Sequence, residues 1–277
     1  MDLTFIASTI SNVYSQNPKV EAVLLGGSVS RNWNDSYSDI ELFIFWKESP
    51  TDEDRKASIY AVDGSIIDFH PYEDEEWSET YITNHVKLEI SNFLTSTIHK
   101  TIDEVVVELK TDLDKQCLVA AVVHGIPLYG EELLGECKKK AEVYPKELSV
   151  RMIENYLFLG NRWNNREALL EREDWLMLYK VFVSVQTNLM GILFGLNRMY
   201  VHHPAFKWQK HSLEAMKIVP EDAFNRFTSI LLNHPQTSVG NLEQMVQEVF
   251  ELIGGEYPSL NLSRVIDQSL FLRPKNN

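Results

Sequence analysis

Two acids at alternate positions, Asp39 and Glu41, border a run of β-branched and aromatic residues, Ile40-Glu41-Leu42-Phe43-Ile44-Phe45-Trp46. Side chains two apart in a strand share a face, so the carboxylates project together while Ile40 and Leu42 turn into a core. Adjacent carboxylates repel, and nothing in the local pattern offsets it. A divalent cation held between them and a substrate phosphate would, and magnesium binds in this way, through one or two carboxylates, phosphate oxygens and water. Ser28, eleven positions before Asp39, closes Gly26-Gly27-Ser28 at the end of the apolar run Val-Glu-Ala-Val-Leu-Leu. Gly27 lets a phosphate approach the backbone, the amides of the turn can donate to it, and Ser28 adds a hydroxyl. Arg31 could neutralise part of a triphosphate. A lone acid between apolar residues is costly in a strand, so Asp68 in Ile67-Asp68-Phe69 fits a third metal carboxylate. Strand alternation would put Ile66, Asp68 and His70 on one face.

The elements that must position these residues are those of a mixed α/β region. A helix is expected over Leu3–Tyr14 and strands over Val20–Leu25 and Ile40–Trp46. Two further strands, Ser-Ile-Tyr-Ala-Val and Ser-Ile-Ile-Asp-Phe-His, flank Asp63-Gly64, a strong hairpin signal. Residues 86–107 fit neither period cleanly, and 115–124 reads as a helix ending at Gly125-Ile126-Pro127. Beyond Gly130 the 3.6-residue period dominates, with helices expected over residues 148–161, 175–200, 212–218, 222–232, 239–252 and 263–272. The division falls near residue 140, giving a catalytic region over 1–140 and a helical region over 141–277.

The Gly-Ser turn after a strand, Asp-x-Glu on the next strand and a later apolar-Asp-apolar triplet resemble the polymerase-beta-like nucleotidyltransferase superfamily. Residues 19–48 look most like the antibiotic nucleotidyltransferases of the lincosamide and aminoglycoside type, and Tyr37-Ser38-Asp39-Ile40-Glu41 carries the match. Weaker echoes are Gly125-Ile126-Pro127-Leu128-Tyr129-Gly130, Leu196-Asn197-Arg198-Met199-Tyr200 and Lys207-Trp208. The resemblance implies an α+β fold, a small mixed sheet with flanking helices, followed by an all-α bundle that selects the acceptor across a cleft. It implies Mg2+-dependent transfer of a nucleoside monophosphate, AMP from ATP, to a hydroxyl of a small molecule with release of pyrophosphate. Asp39, Glu41 and Asp68 would be the metal ligands and catalytic carboxylates, with Gly27, Ser28, Arg31 and Ser38 binding the nucleotide. The base would be Asp68 or a glutamate of the helical region.

Composition bounds the partners. The 277 residues carry 40 acids against 26 bases, a formal charge of −14, which disfavours a nucleic-acid acceptor. The two cysteines, Cys117 and Cys137, cannot build a disulfide framework and suit a reducing compartment. The opening residues lack the basic segment of an export signal, and Ser184, Gln186, Thr187 and Asn188 interrupt the most apolar stretch, so a cytoplasmic protein without a membrane span is expected. The acidic run Glu73-Asp74-Glu75-Glu76 could line a pocket for a cationic acceptor or form a solvated loop, and apolar helices of the second half could build a homodimer face. His202-His203 lacks metal-ligand spacing. Two rival functions stay open: transfer to a protein side chain, and nucleotide binding without turnover.

Overall fold

The computed structural model describes residues 2–275. The chain divides into two compact units, Met1–Val143 and Tyr144–Asn277. The first is mixed α+β, the second helical.

In the first unit, α1 (Leu3–Tyr14) starts at Asp2, whose carboxylate accepts from the Phe5 amide. Then come β1 (Val20–Leu25), the single turn α2 (Gly27–Ser30), β2 (Ile40–Trp46), α3 (Asp52–Ala61), β3 (Ser65–Phe69), β4 (Trp77–Thr83), β5 (Val86–Leu94), α4 (Thr95–Val106), α5 (Leu113–His124), β6 (Ile126–Tyr129) and α6 (Glu131–Ala141). The six strands form one sheet in the order β3-β4-β5-β2-β1-β6. β2 and β5 are parallel, and the other pairs are antiparallel. One sheet face, with Val23, Leu25, Ile40, Leu42, Ile44, Leu88, Ile90 and Tyr81, packs with Ala7, Ile10 and Tyr14 of α1 and Ile59 of α3. On the opposite face α4 contacts β2 and β5, and α6 contacts β1 and β6. Gly130 permits the tight β6–α6 corner, since its φ is +72° and a β-carbon there would strike the backbone of β1 at Glu21 and Ala22.

The sequence misleads at two places here. Ser58-Ile59-Tyr60-Ala61, expected as a strand, is the end of α3, and Asp63-Gly64 is a helix-to-strand turn, not a hairpin. A capping box explains it: Thr51 Oγ1 accepts from the Asp54 amide while the Asp54 carboxylate accepts from the Thr51 amide. Asp52, Glu53 and Asp54 add charge favourable to a helix start. The second place is β3, where the register shifts between Ile66 and Asp68. Ile66 and Phe69 both pack on the core, so the bulge turns Asp68 to the other face and separates it from Ile66.

The second unit contains α7 (Lys146–Tyr156), a 3-10 turn at Trp163–Asn165, α8 (Arg166–Glu171), α9 (Trp175–Leu196), α10 (Gln209–Ala215), α11 (Ala223–Leu232), α12 (Pro235–Glu256) and α13 (Ser263–Leu270). α9 is long and apolar enough to cross a membrane by length and composition. Here it is the central helix of the unit, contacted by α7, α8, α11 and α12, and Phe182, Val185, Leu189 and Phe194 on it are buried. Ser149 and Tyr257 tie the ends together: the Tyr257 hydroxyl donates to Ser149 Oγ at 2.7 Å, and Ser149 donates to the Gly195 carbonyl. The helix expected over 148–161 ends at Tyr156, and α6 and α8 had no counterpart among the expected elements.

Candidate active site

β1 runs into Gly26, and its amide donates to the Glu41 carbonyl at 2.9 Å, so the turn is anchored on β2. Gly27 has φ +62°, a left-handed conformation, and a β-carbon on it would overlap the Glu41 carboxylate. The left-handed backbone favours glycine at 27, and a side chain there would have to push the flexible end of Glu41 aside. The amides that open α2 have no intrahelical acceptor. They sit beside Glu41 at the head of the turn, while the Ser28 side chain is largely buried.

Glu41 lies on the face of β2 opposite the α1/α3 core, and Asp39, the residue before the strand, turns to that side, where Lys87 reaches it. In the parallel pairing, Ile40 faces Leu88 and Glu41 faces Glu89, so Glu89 projects beside Glu41 from the next strand. Lys87, one residue before Leu88, reaches across to Asp39 Oδ2 at 3.3 Å and also pairs with Glu89 on its own strand. Both carboxylates raise the Lys87 ammonium above its ordinary pKa, Glu89 more than Asp39.

Asp68 is placed elsewhere. It pairs with Thr80 on β4, Thr80 pairs with Glu89, and Glu89 with Glu41. The four side chains form one row across the sheet, and Asp68 stands three strand spacings from Glu41, about 14 Å. The carboxylate adjacent to Glu41 is Glu89. Neither Lys87 nor Glu89 figures among the sequence candidates, although Val-Lys-Leu-Glu-Ile has strand alternation; the missing information is the parallel pairing that sets it against β2.

Arg31 is partly buried. Its guanidinium donates to the Ala120 carbonyl of α5 at 3.3 Å and lies over the Trp33 ring at 5.2 Å. Burial lowers its pKa to about 10, with Cys117 and Glu41 acting in the opposite direction, so it remains a cation at neutral pH. Ser38 closes the turn before β2: the Asp35 amide donates to its hydroxyl at 2.9 Å. The acidic run also makes a tight turn. Asp74 and Glu75 have positive φ, Glu73 bridges Glu76, and Glu75 pairs with Lys100.

Among the described residues, no set of three or more His, Cys, Asp or Glu side chains is gathered to hold a metal ion. Asp39 and Glu41 supply two hard oxygen donors on one face, a set that could serve a divalent cation completed by phosphate and water.

Residues 111–209 match a domain of unknown function, DUF4037. No curated protein matches the chain. Among solved structures it is similar to a nucleotidyltransferase-like protein from Exiguobacterium sibiricum, at 13% identity over 90% of this chain and 76% of that one, with a TM-score of 0.41.

Proposed function

We propose that the first unit is a nucleotidyltransferase that moves a nucleoside monophosphate, AMP from ATP, onto a hydroxyl of a small molecule and releases pyrophosphate. The observation that carries this is the apposition of Gly27 and Glu41. A left-handed glycine, bare of side chain, brings open backbone amides beside a carboxylate that shares a face with Asp39. Lys87 on Asp39 and Glu89 offsets only part of the charge that the carboxylates and a bound anion would bring together, and a metal-bound triphosphate would relieve the remaining repulsion.

In this scheme the turn amides and the Ser28 hydroxyl bind the triphosphate, and Arg31 fixes α2 against α5. Asp39 and Glu41 would hold Mg2+, which supplies charge neutralisation at the attacked phosphorus and its leaving group. Glu89, beside Glu41, is the carboxylate placed to accept the acceptor's proton, in preference to Asp68. Small hydroxylated molecules, aminoglycosides and lincosamides among them, are the acceptors to try first. The chain's −14 charge favours a cationic one.

The test is incubation with α-labelled ATP, Mg2+ and an acceptor panel. Label is expected on a small molecule, with Asp39→Asn and Glu41→Gln lowering transfer about a hundredfold or more. Glu89→Gln should also cut the rate strongly, whereas Asp68→Asn should stay within about threefold of wild type. Label on polypeptide would move the acceptor to protein. Nucleotide binding without pyrophosphate release, or full activity in Asp39→Asn, would overturn the proposal.

A further inference from the structure

Lys87 stands among the acids just described, on the sheet face opposite the α1/α3 core. Asp39 lies across the strand gap with its Oδ2 3.3 Å from the ammonium, and Glu89 lies two residues along β5. Register sets this arrangement: in parallel strands with Ile40 opposite Leu88, residues 39 and 87 meet on one face, as do 41 and 89. The Lys87 side chain is about half exposed, at 44%, so burial does not force it there. Asp39 and Glu89 hold it electrostatically.

We infer that Lys87 is a built-in counter-cation that competes with the divalent metal for Asp39. This rests on the proposed metal site at Asp39 and Glu41 and adds how that site is regulated. Asp39, Glu41 and Glu89 bring three negative charges and Lys87 one positive. Without a metal, the ammonium keeps Asp39 and Glu89 from repelling one another across the β2–β5 gap. A metal must take Asp39 Oδ2 from the ammonium or share it, so part of its binding free energy goes into displacing Lys87. The site therefore resists monovalent ions, which bring no more charge than the lysine does, and yields to divalent ions, which do. A metal that arrives with a triphosphate also supplies new anionic oxygens for the displaced ammonium, so loading with metal and nucleotide together is favoured over loading with metal alone.

The measurement is Mn2+ binding to the full chain without nucleotide, read by electron paramagnetic resonance of free Mn2+ and by calorimetry. Lys87→Gln should bind Mn2+ roughly three- to tenfold more tightly than wild type, the scale of one partly exposed ion pair plus its longer-range charge. Lys87→Arg should bind like wild type because it keeps the charge, and the difference should shrink in high salt. Asp39→Asn should lose the site. If Lys87→Gln binds with unchanged or weaker affinity while Asp39→Asn loses binding, the competition is refuted and the metal site stands. If wild type and Lys87→Gln both fail to bind Mn2+, the metal site and the competition fall together. Lys87→Gln with tighter Mn2+ binding but a wild type that transfers no nucleotide would support the counter-cation and refute the enzymatic proposal.

Discussion

Arg55→Met probes the interior on which β3, β4 and β5 are aligned. Arg55 and Glu79 have fully buried side chains, with Nη1 donating to Glu79 Oε2 at 3.0 Å and to the His70 carbonyl at 2.9 Å. Asn92 donates to the other Glu79 oxygen at 2.9 Å, and the Trp46 indole donates to Asn92 Oδ1 at 2.8 Å. The guanidinium also lies 3.8 Å from the Phe69 ring centre. Methionine roughly preserves the volume of the stem, so the cavity cost is small. What remains is a buried carboxylate without its counter-charge, a loss of about 3–5 kcal/mol. At about 2–4 °C per kcal/mol, the melting transition of the first unit should fall by roughly 6–20 °C.

The pH dependence makes this prediction specific. Burial pushes Glu79 up to about 7, while Asn92 and Arg55 pull it down. A carboxyl raised in the folded state contributes stability that is complete below the unfolded value of about 4.5 and is lost as pH rises through the folded value. Removing Arg55 raises the folded value further, so the loss continues to higher pH. The gap between wild type and variant should widen as pH is taken past about 7. Calorimetry at pH 5.5 and pH 8.5 reads it, and adding Glu79→Gln should recover a large part of the pH 8.5 deficit because a neutral amide needs no counter-charge. A deficit below about 1 kcal/mol at pH 8.5, a gap that narrows with pH, or no recovery in the double variant would refute the buried-pair account.

Gly27→Ala should cost about 1–2 kcal/mol for its left-handed backbone alone, read as a lower melting temperature. It should also lower nucleotide affinity more than that stability loss explains, because the new methyl group displaces the Glu41 carboxylate; affinity equal to wild type would refute the apposition. Asp54 bears on acid stability. Burial pulls it up, but hydrogen bonds from the Thr51 amide, Asn17, Lys19 and the Thr51 hydroxyl outweigh this and bring it down to about 2. A depressed carboxylate stabilises above its unfolded value of about 4 and loses that as pH falls toward 2. Asp54→Asn should therefore be about 1 kcal/mol or less below wild type at pH 6 and converge with it near pH 2, as urea titrations at both pH values would show.

What the sequence revealed follows the range of the interactions involved. β1 and β2 are legible to the residue because an apolar run ending at Gly26-Gly27 and the alternation from Ile40 to Trp46 are local properties. The shared face of Asp39 and Glu41 is legible for the same reason. α3 departs from its local composition although its start signal is local too: the capping box at Thr51 and Asp54 lies upstream of the Ser-Ile-Tyr-Ala-Val window, which by itself has strand composition. Asp68 shows a different failure. Alternation places it with Ile66, but one extra residue in β3 reverses the face, and bulges leave no mark in composition.

The neighbours of Asp39 and Glu41 are hidden for a deeper reason. Asp39 meets Lys87 forty-eight positions away, through a parallel β2–β5 contact whose connection passes through α3 and the β3–β4 pair. A slip of one residue in that register would turn Lys87 and Glu89 into the core and bring Leu88 and Ile90 out to the acids. The buried row Ile40, Leu42 and Ile44 against Leu88 and Ile90 forbids that slip. The apolar core on one side of the sheet thus dictates which charges surround the two acids on the other. Their electrostatic setting is a product of packing.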